Sequence, residues 1–283
     1  PGTPYFNGQL STYSRTRHYI FVPGFVFFTF LKVDMPAGEM LRVGAYVTLH
    51  LLLLFAIAAV IFVRGAWRSS WKMLAMAAST YNCGNYGLPF ALLAFPKHKE
   101  VVAAIVPVII MIQMLLAFTM GVMLFEKEGA GMRRFALSLA KVPVLYAIAA
   151  SILIRYLHVE DRLPAFISQP SSYLADGLIA IALMTVGVQI ARCPVSRRIG
   201  PLLAICLFRF VASPLLTIVL VWILRIQSPV SGILIAMSVL PTAVNVYIIA
   251  AQYHRDQELA SQAVFWTTLL SAFTVPLLLA MVR

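Results

Sequence analysis

The stretch MLAMAASTYNCGNYGLPFALLAF, residues 73–95, is apolar and long enough to cross a bilayer, yet its centre is wrong for a plain helix. Asn82, Gly84, Asn85, Tyr86, Gly87 and Pro89 crowd into eight residues there. Proline removes a backbone donor and glycine lets the chain unwind. Hydrocarbon offers no water to the freed groups, so irregular backbone at that depth belongs inside protein or along a wet cavity. The stretch therefore reads as an interrupted membrane helix. The competing reading is a proline kink without a ligand, since proline and glycine are common in membrane helices.

The rest of the chain agrees with a membrane setting. Of its 283 residues 61% are hydrophobic and 11% charged, with a mean hydropathy of +0.89. A soluble domain is about half apolar and about a quarter charged. This composition excludes a soluble enzyme and a secreted disulfide scaffold and indicates an all-α polytopic membrane protein. The net charge of +12 comes mostly from Lys and Arg between apolar runs, so it reads as topology and headgroup contact with membrane lipids, not as nucleic-acid binding. Three scattered cysteines, at 83, 193 and 206, have neither metal spacing nor a disulfide framework.

Apolar runs bounded by charge give nine candidate spans: about 19–33, 43–63, 73–95, 101–125, 136–157, 172–191, 201–224, 230–253 and 259–282. Pro23-Gly24 is expected to break or tilt the first of them. Alternating the connections between two sides puts thirteen Lys and Arg on one side and eight on the other, with Arg209 inside a span. The positive-inside rule makes the richer side cytoplasmic, placing the polar stub 1–18 inside and the C-terminus outside the inner membrane. Nine spans in this sense fit ten that lack the first, and the stub starts with Pro, so a truncated or misplaced start is expected.

A second interrupted stretch lies far downstream. ILIAMSVLPTAVNVYIIAAQYHRDQE, residues 233–258, carries Pro241, Thr242, Asn245 and Tyr247 near the middle of an apolar span. AFPKHKE (94–100) parallels QYHRDQE (252–258), and each is followed by one more long apolar run. The two interrupted spans are the third and eighth in order, an odd offset that inverts one unit relative to the other. Paired interrupted helices in inverted halves point to a binding site near the midplane. The expected organisation is a first repeat over 19–125, lacking its first helix, and a second over 136–283.

These motifs resemble the auxin efflux carrier family, which includes bacterial malate and malonate permeases. Residues 82–90, NCGNYGLPF, are similar to its N-x-G-x-x-G-L-P signature, and 241–253, PTAVNVYIIAAQY, to its P-x-A-x-N…A-x-x-Y segment. TVGVQIA (185–191) and CLFRFVASPLL (206–216) resemble two further family patterns. The resemblance, which runs from about residue 19 to 283, implies two inverted repeats of five helices with crossed broken helices, as in sodium/bile-acid symporter-like folds. It implies scaffold helices 19–33, 136–157 and 172–191, and a transport unit of 43–125 and 201–282. The implied activity is secondary transport of small organic anions such as malate or malonate by alternating access. Coupling to H+, to Na+ or to the potential alone stays open, and a homodimer is a candidate assembly. The Asn-Pro pairs of the plant members are missing at the crossover, which argues against auxin itself.

The expected substrate contacts are Asn82, Gly84, Asn85, Tyr86, Pro89, Pro241, Thr242, Asn245, Tyr247 and Arg209. The asparagines offer amide donors to a carboxylate, or bind helices to one another. The tyrosines stack or hydrogen-bond in the site, or simply pack. Arg209 counters a substrate carboxylate, pairs structurally, or reaches to the headgroups. His50 is a hydrogen-bonded structural residue or a proton relay. Gln113 and Gln189 are amides of unknown facing, and Asp176 is a helix-start residue or a proton-linked carboxylate. No catalytic residue, metal ligand or cofactor motif is read, and no Walker loop. The alternatives are a channel or sensor of the same fold, or an intramembrane enzyme.

Overall fold

The computed structural model describes residues 20–32, 36–125, 143–160 and 198–282, with a few isolated positions between 163 and 184. Gln189 and Asp176 lie outside the described residues, as do most of the span 172–191 and all of residues 126–142.

Eleven helices carry the description: α1 Val22–Lys32, α2 Ala37–Arg64, α3 Trp71–Ser79, α4 Leu88–Ala94, α5 Lys99–Phe125, α6 Pro143–Tyr156, α7 Ile199–Leu207, α8 Ser213–Ile223, α9 Val230–Ser238, α10 Val244–Gln252 and α11 Gln257–Val282. Among the described residues there is no strand beyond a single bridge between Tyr81 and Thr242. Three helical runs are long and apolar enough to cross a membrane: Gly38–Arg64, Pro96–Phe125 and Ile199–Ile223. The last joins α7 and α8 into one rod through a wider π-helical turn, Phe208–Ala212. Pro214 follows this turn; it has no N–H to return to the preceding turn, and the extra residue accommodates it. One face of the rod, including Leu203, Leu207, Leu215 and Trp222, is exposed, as a lipid-facing stripe requires.

Pro23-Gly24 does not break α1. Pro23 falls in the first turn, where its missing N–H costs nothing. Gly24 lies against Leu174, whose Cδ1 would stand 2.6 Å from an added Cβ. On the other flank α1 packs along α6, with Ser151 Oγ donating to Phe27 O at 3.2 Å.

The remaining helices pack around α2, α5 and the α7–α8 rod. One apolar core lies towards the end holding Val43, Ile226 and Val230, and a second towards the end holding Phe62, Phe125 and Leu259. At the second end Ser70, Arg198 and the start of α11 meet on Asp256. Its carboxylate accepts from Arg198 Nη1 at 3.0 and 3.1 Å, from Ser70 Oγ at 2.9 Å and from Leu259 N at 3.4 Å. Lys72 Nζ donates to Leu124 O at 2.7 Å at the same end, and Trp67 packs over Gly200. These connections are ones that the charge count assigns to a single side.

The Asp256 cluster combines a helix cap with a partly exposed ion pair. Each contribution is modest, so Asp256→Ala is expected to lower unfolding stability in detergent by about 1–2 kcal/mol. Chemical denaturation would measure this, and a loss several times larger would show that these loops depend on the pair.

Candidate functional site

The two interrupted spans fold as the sequence requires, and each break repairs the other. In the first, α3 stops at Ser79, the chain runs extended at Thr80 and Tyr81, turns tightly at Asn82 with Cys83 N donating to Tyr81 O at 2.9 Å, makes a π-helical turn over Cys83–Gly87 and continues as α4 from Leu88. In the second, α9 stops at Ser238 and α10 begins at Val244. The unwound segments run antiparallel and pair: Asn82 N donates to Pro241 O at 2.8 Å, and Ala243 N to Thr80 O at 3.0 Å. Backbone that lipid would leave unsatisfied is thus satisfied by the other break.

Neighbouring side chains complete the accounting. Gln113 on α5 imitates a strand: in the orientation that satisfies it, its amide donates to Tyr81 O at 2.7 Å and its carbonyl accepts from Tyr81 N at 3.1 Å. Thr267 on α11 accepts from Thr242 N at 2.9 Å, and Thr242 Oγ1 donates to Ala77 O at 2.9 Å. Asn82 caps the following turn, its Oδ1 accepting from Asn85 N at 3.2 Å.

Arg209 lies at the centre of this crossing. It is fully buried, which sets aside the reading in which it reaches the headgroups. Its Nε and Nη2 donate to Leu240 O at 3.1 and 3.0 Å, Nη2 also to Ser238 O at 2.7 Å, and Nη1 to Ala78 O at 3.3 Å. One permanent cation thus meets carbonyls at the C-terminal ends of both α3 and α9, where the helix dipoles are negative. The guanidinium also lies 5.3 Å from the centre of the Tyr81 ring, a cation–π contact.

Beside Arg209 a hydroxyl network ties α2 to the rod. Tyr46 Oη lies 2.9 Å from Thr217 Oγ1, which donates to Ser213 O, and Ser213 Oγ donates to Ser238 O at 2.7 Å. His50 Nε2 lies 3.1 Å from Ser213 Oγ, and the imidazole stacks on Tyr46 and meets the Tyr81 ring edge-on.

The crossing gathers most of the residues that the sequence nominates. Asn82, Asn85, Pro89, Pro241, Thr242 and Arg209 are buried there, and Gly84, Tyr86 and Asn245 are partly buried. The amide side chains of Asn85 and Asn245 make no hydrogen bond among the described residues. Asn245 lies in the first turn of α10, where backbone N–H groups also face outward from the helix. Tyr247 is 40% exposed, and Tyr86 packs beside Phe90. Pro89 is not the breaker that its type suggests: it is the second residue of α4, two residues after the π-helical turn Cys83–Gly87, and the wider turn accommodates its missing N–H as the Phe208–Ala212 turn does that of Pro214. The break itself lies seven to nine residues earlier, at Thr80–Asn82.

Sequence reading missed Tyr81, Ser213, Ser238 and Thr267, and left Gln113 unplaced. Gln113 carries the clearest signal in retrospect, a lone amide mid-way along an apolar helix.

Comparison with known proteins supplies independent findings. Residues 132–279 match the family model described as Membrane transport protein. A protein of Rhizobium meliloti (strain 1021) named "Putative malonate transporter" is 30% identical over 241 residues, 82% of this chain and 72% of that protein. An uncharacterized transporter of Methanocaldococcus jannaschii is 24% identical over 137 residues, 48% of this chain and 44% of that protein.

Proposed function

The chain belongs to the membrane transport protein family, that of the auxin efflux carriers, and on that premise we propose that it moves small organic anions across the cell's inner membrane by alternating access. The observation that carries the reading is the paired break. Two interrupted helices lend each other backbone hydrogen bonds, and beside them the amides of Asn85 and Asn245 make no hydrogen bond among the described residues. A carboxylate suits those donors, and Arg209 keeps the surroundings positive. The similarity to a malonate transporter favours a short mono- or dicarboxylate.

The proposed contacts are Asn85 and Asn245 with the first turn of α10, framed by Asn82, Gly84, Tyr86, Pro89, Pro241, Thr242 and Tyr247. Arg209 contributes charge from behind, because four of its hydrogen bonds already go to backbone carbonyls. Two inverted five-helix repeats are supported by the correspondence of α3 with α9 and of α4 with α10, whose ends meet at one bridge. The scaffold of 19–33, 136–157 and 172–191 is supported by the packing of α1 on α6 and of Gly24 on Leu174. The crossing unit, 43–125 and 201–282, would move against it. The sidedness proposed from charge places the C-terminus outside.

The test is uptake of labelled malonate, malate and indole-acetate into proteoliposomes, with the wild type beside Asn245→Ala. A lost hydrogen bond to a charged group is worth about 1.5–3 kcal/mol, so the half-saturating concentration should rise by about ten- to a hundredfold. Unchanged saturable uptake in the variant would remove Asn245 from the site.

A further inference from the structure

The transport reading leaves one buried group unused. His50 lies mid-way along α2, fully buried, 29 residues before Ser79, where α3 stops; Arg209 lies 29 residues before Ser238, where α9 stops. Each long helical run thus brings one basic side chain to the same place relative to its break. Arginine keeps its charge, whereas histidine can gain and lose one near neutral pH.

Hydrogen bonding fixes the tautomer. The single hydroxyl proton of Ser213 goes to Ser238 O, so Ser213 Oγ accepts from His50, and Nε2 carries the hydrogen. Nδ1 is then a bare lone pair, and it is buried without a partner. The Tyr81 hydroxyl is likewise buried without a partner, on a ring whose centroid is 5.9 Å from that of the imidazole. An acceptor with no donor and a donor with no acceptor thus sit on neighbouring rings, in a setting where each lapse costs about 1–3 kcal/mol. A histidine kept only for packing would use both nitrogens. Tyr81 is also the bridge residue next to Asn82, so the pair touches the crossing itself.

We propose that His50 carries the proton that accompanies each anion, with Nδ1 as the acceptor and the Tyr81 hydroxyl as its neighbour in relay. The inference rests on the transport reading. On loading, the N–H bond forms at Nδ1 as an O–H bond of hydronium or of the carboxylic acid breaks; on release the steps reverse at the other face. Electrostatics joins the two events. The titratable or charged groups around His50 are Tyr46 on its own helix, Tyr81 and, beyond it, Cys83 on the first break, and Arg209 on the rod. Among the described residues the acids are Glu39, Glu100, Glu160, Asp256 and Glu258, all at or near helix ends. A second cation next to Arg209 therefore needs an anion at the crossing, and an anion there draws the proton in.

The test uses the full chain in liposomes containing a pH-sensitive dye, with malonate as probe. For each proton carried, a one-unit inward pH gradient multiplies accumulation about tenfold. The wild type should show that stimulation and acidify the lumen as malonate enters. His50→Gln should retain malonate counterflow, which needs no net proton movement, and lose both stimulation and acidification. If His50→Gln loses counterflow as well, Tyr81→Phe decides: slowed acidification with intact counterflow supports the relay, and wild-type acidification overturns it. Saturable wild-type uptake indifferent to the gradient, or acidification retained in His50→Gln, also overturns the inference. A chain that moves no carboxylate in any mode fails the transport reading first, and the proton role falls with it.

Discussion

Arg209→Met should leave a protein that inserts in the membrane but does not hold its crossing together. The guanidinium serves three carbonyls, those of Ala78, Ser238 and Leu240, which belong to the ends of two different half-helices. Among the described residues no other donor reaches Ser238 O or Leu240 O except the Ser213 hydroxyl, which reaches only the first. Hydrogen bonds to a charged group are worth about 1.5–3 kcal/mol each, and orphaned buried acceptors add their own cost. The expected loss is about 4 kcal/mol or more, a large fraction of a typical stability. Methionine keeps the side chain's length and apolar stem, so the effect isolates the head group. Arg209→Lys should fall between, since one ammonium cannot reproduce the planar fork. Thermal unfolding of purified protein in detergent measures both. A melting curve like the wild type's for Arg209→Met would mean that the half-helix ends find other partners.

Gly87→Val should be nearly as damaging, for a reason of space alone. A Cβ at Gly87 would stand 2.7 Å from Leu240 Cδ1, 3.1 Å from Met237 Cε and 3.3 Å from Asn82 O. The first two contacts belong to the end of α9, so the glycine lets the two breaks approach each other. Ala adds one methyl, and side-chain shifts of Leu240 and Met237 can absorb part of it. Valine adds two more carbons against a backbone oxygen that cannot shift, and overpacking of this kind costs about 1–3 kcal/mol, occasionally more. Transport should be abolished in the valine variant, with uptake by Gly87→Ala retained at a reduced rate. Gly84 is the built-in control for packing: an added Cβ there meets Ile110 only at 3.8 Å, so Gly84→Ala should leave the thermal unfolding of the protein in detergent unchanged, whereas Gly87→Val should lower it. Equal damage at both positions would refute the close-approach argument.

The outline of this fold was legible because membranes punish irregular backbone. The clusters at 82–89 and 241–247 stand out against apolar surroundings, and their matched positions announce a pair. What they do locally was harder to read. Pro89 looks like the breaker by residue type, but it follows a π-helical turn that accommodates its missing N–H, and the break falls at Thr80–Asn82 instead. Arg209 looks like a substrate ligand by charge, but its donors face carbonyls at the ends of two half-helices, one of them more than a hundred residues away in sequence. Gln113, Thr267 and Ser213 serve the breaks from other helices, and no local pattern assigns such partners.

The bridge between residues 80–82 and 241–243 has a consequence for how the protein is made. The first break leaves the ribosome with its backbone donors and acceptors exposed, and their partners are about 160 residues away. At about 5–20 residues per second, the wait is on the order of 10–30 s. Throughout that interval the nascent first half cannot rest in hydrocarbon in its final form. It must be sheltered by the insertion machinery, stay near the watery interface, or hold a continuous helix that later unwinds. Maturation of the crossing is thus an act of the finished chain.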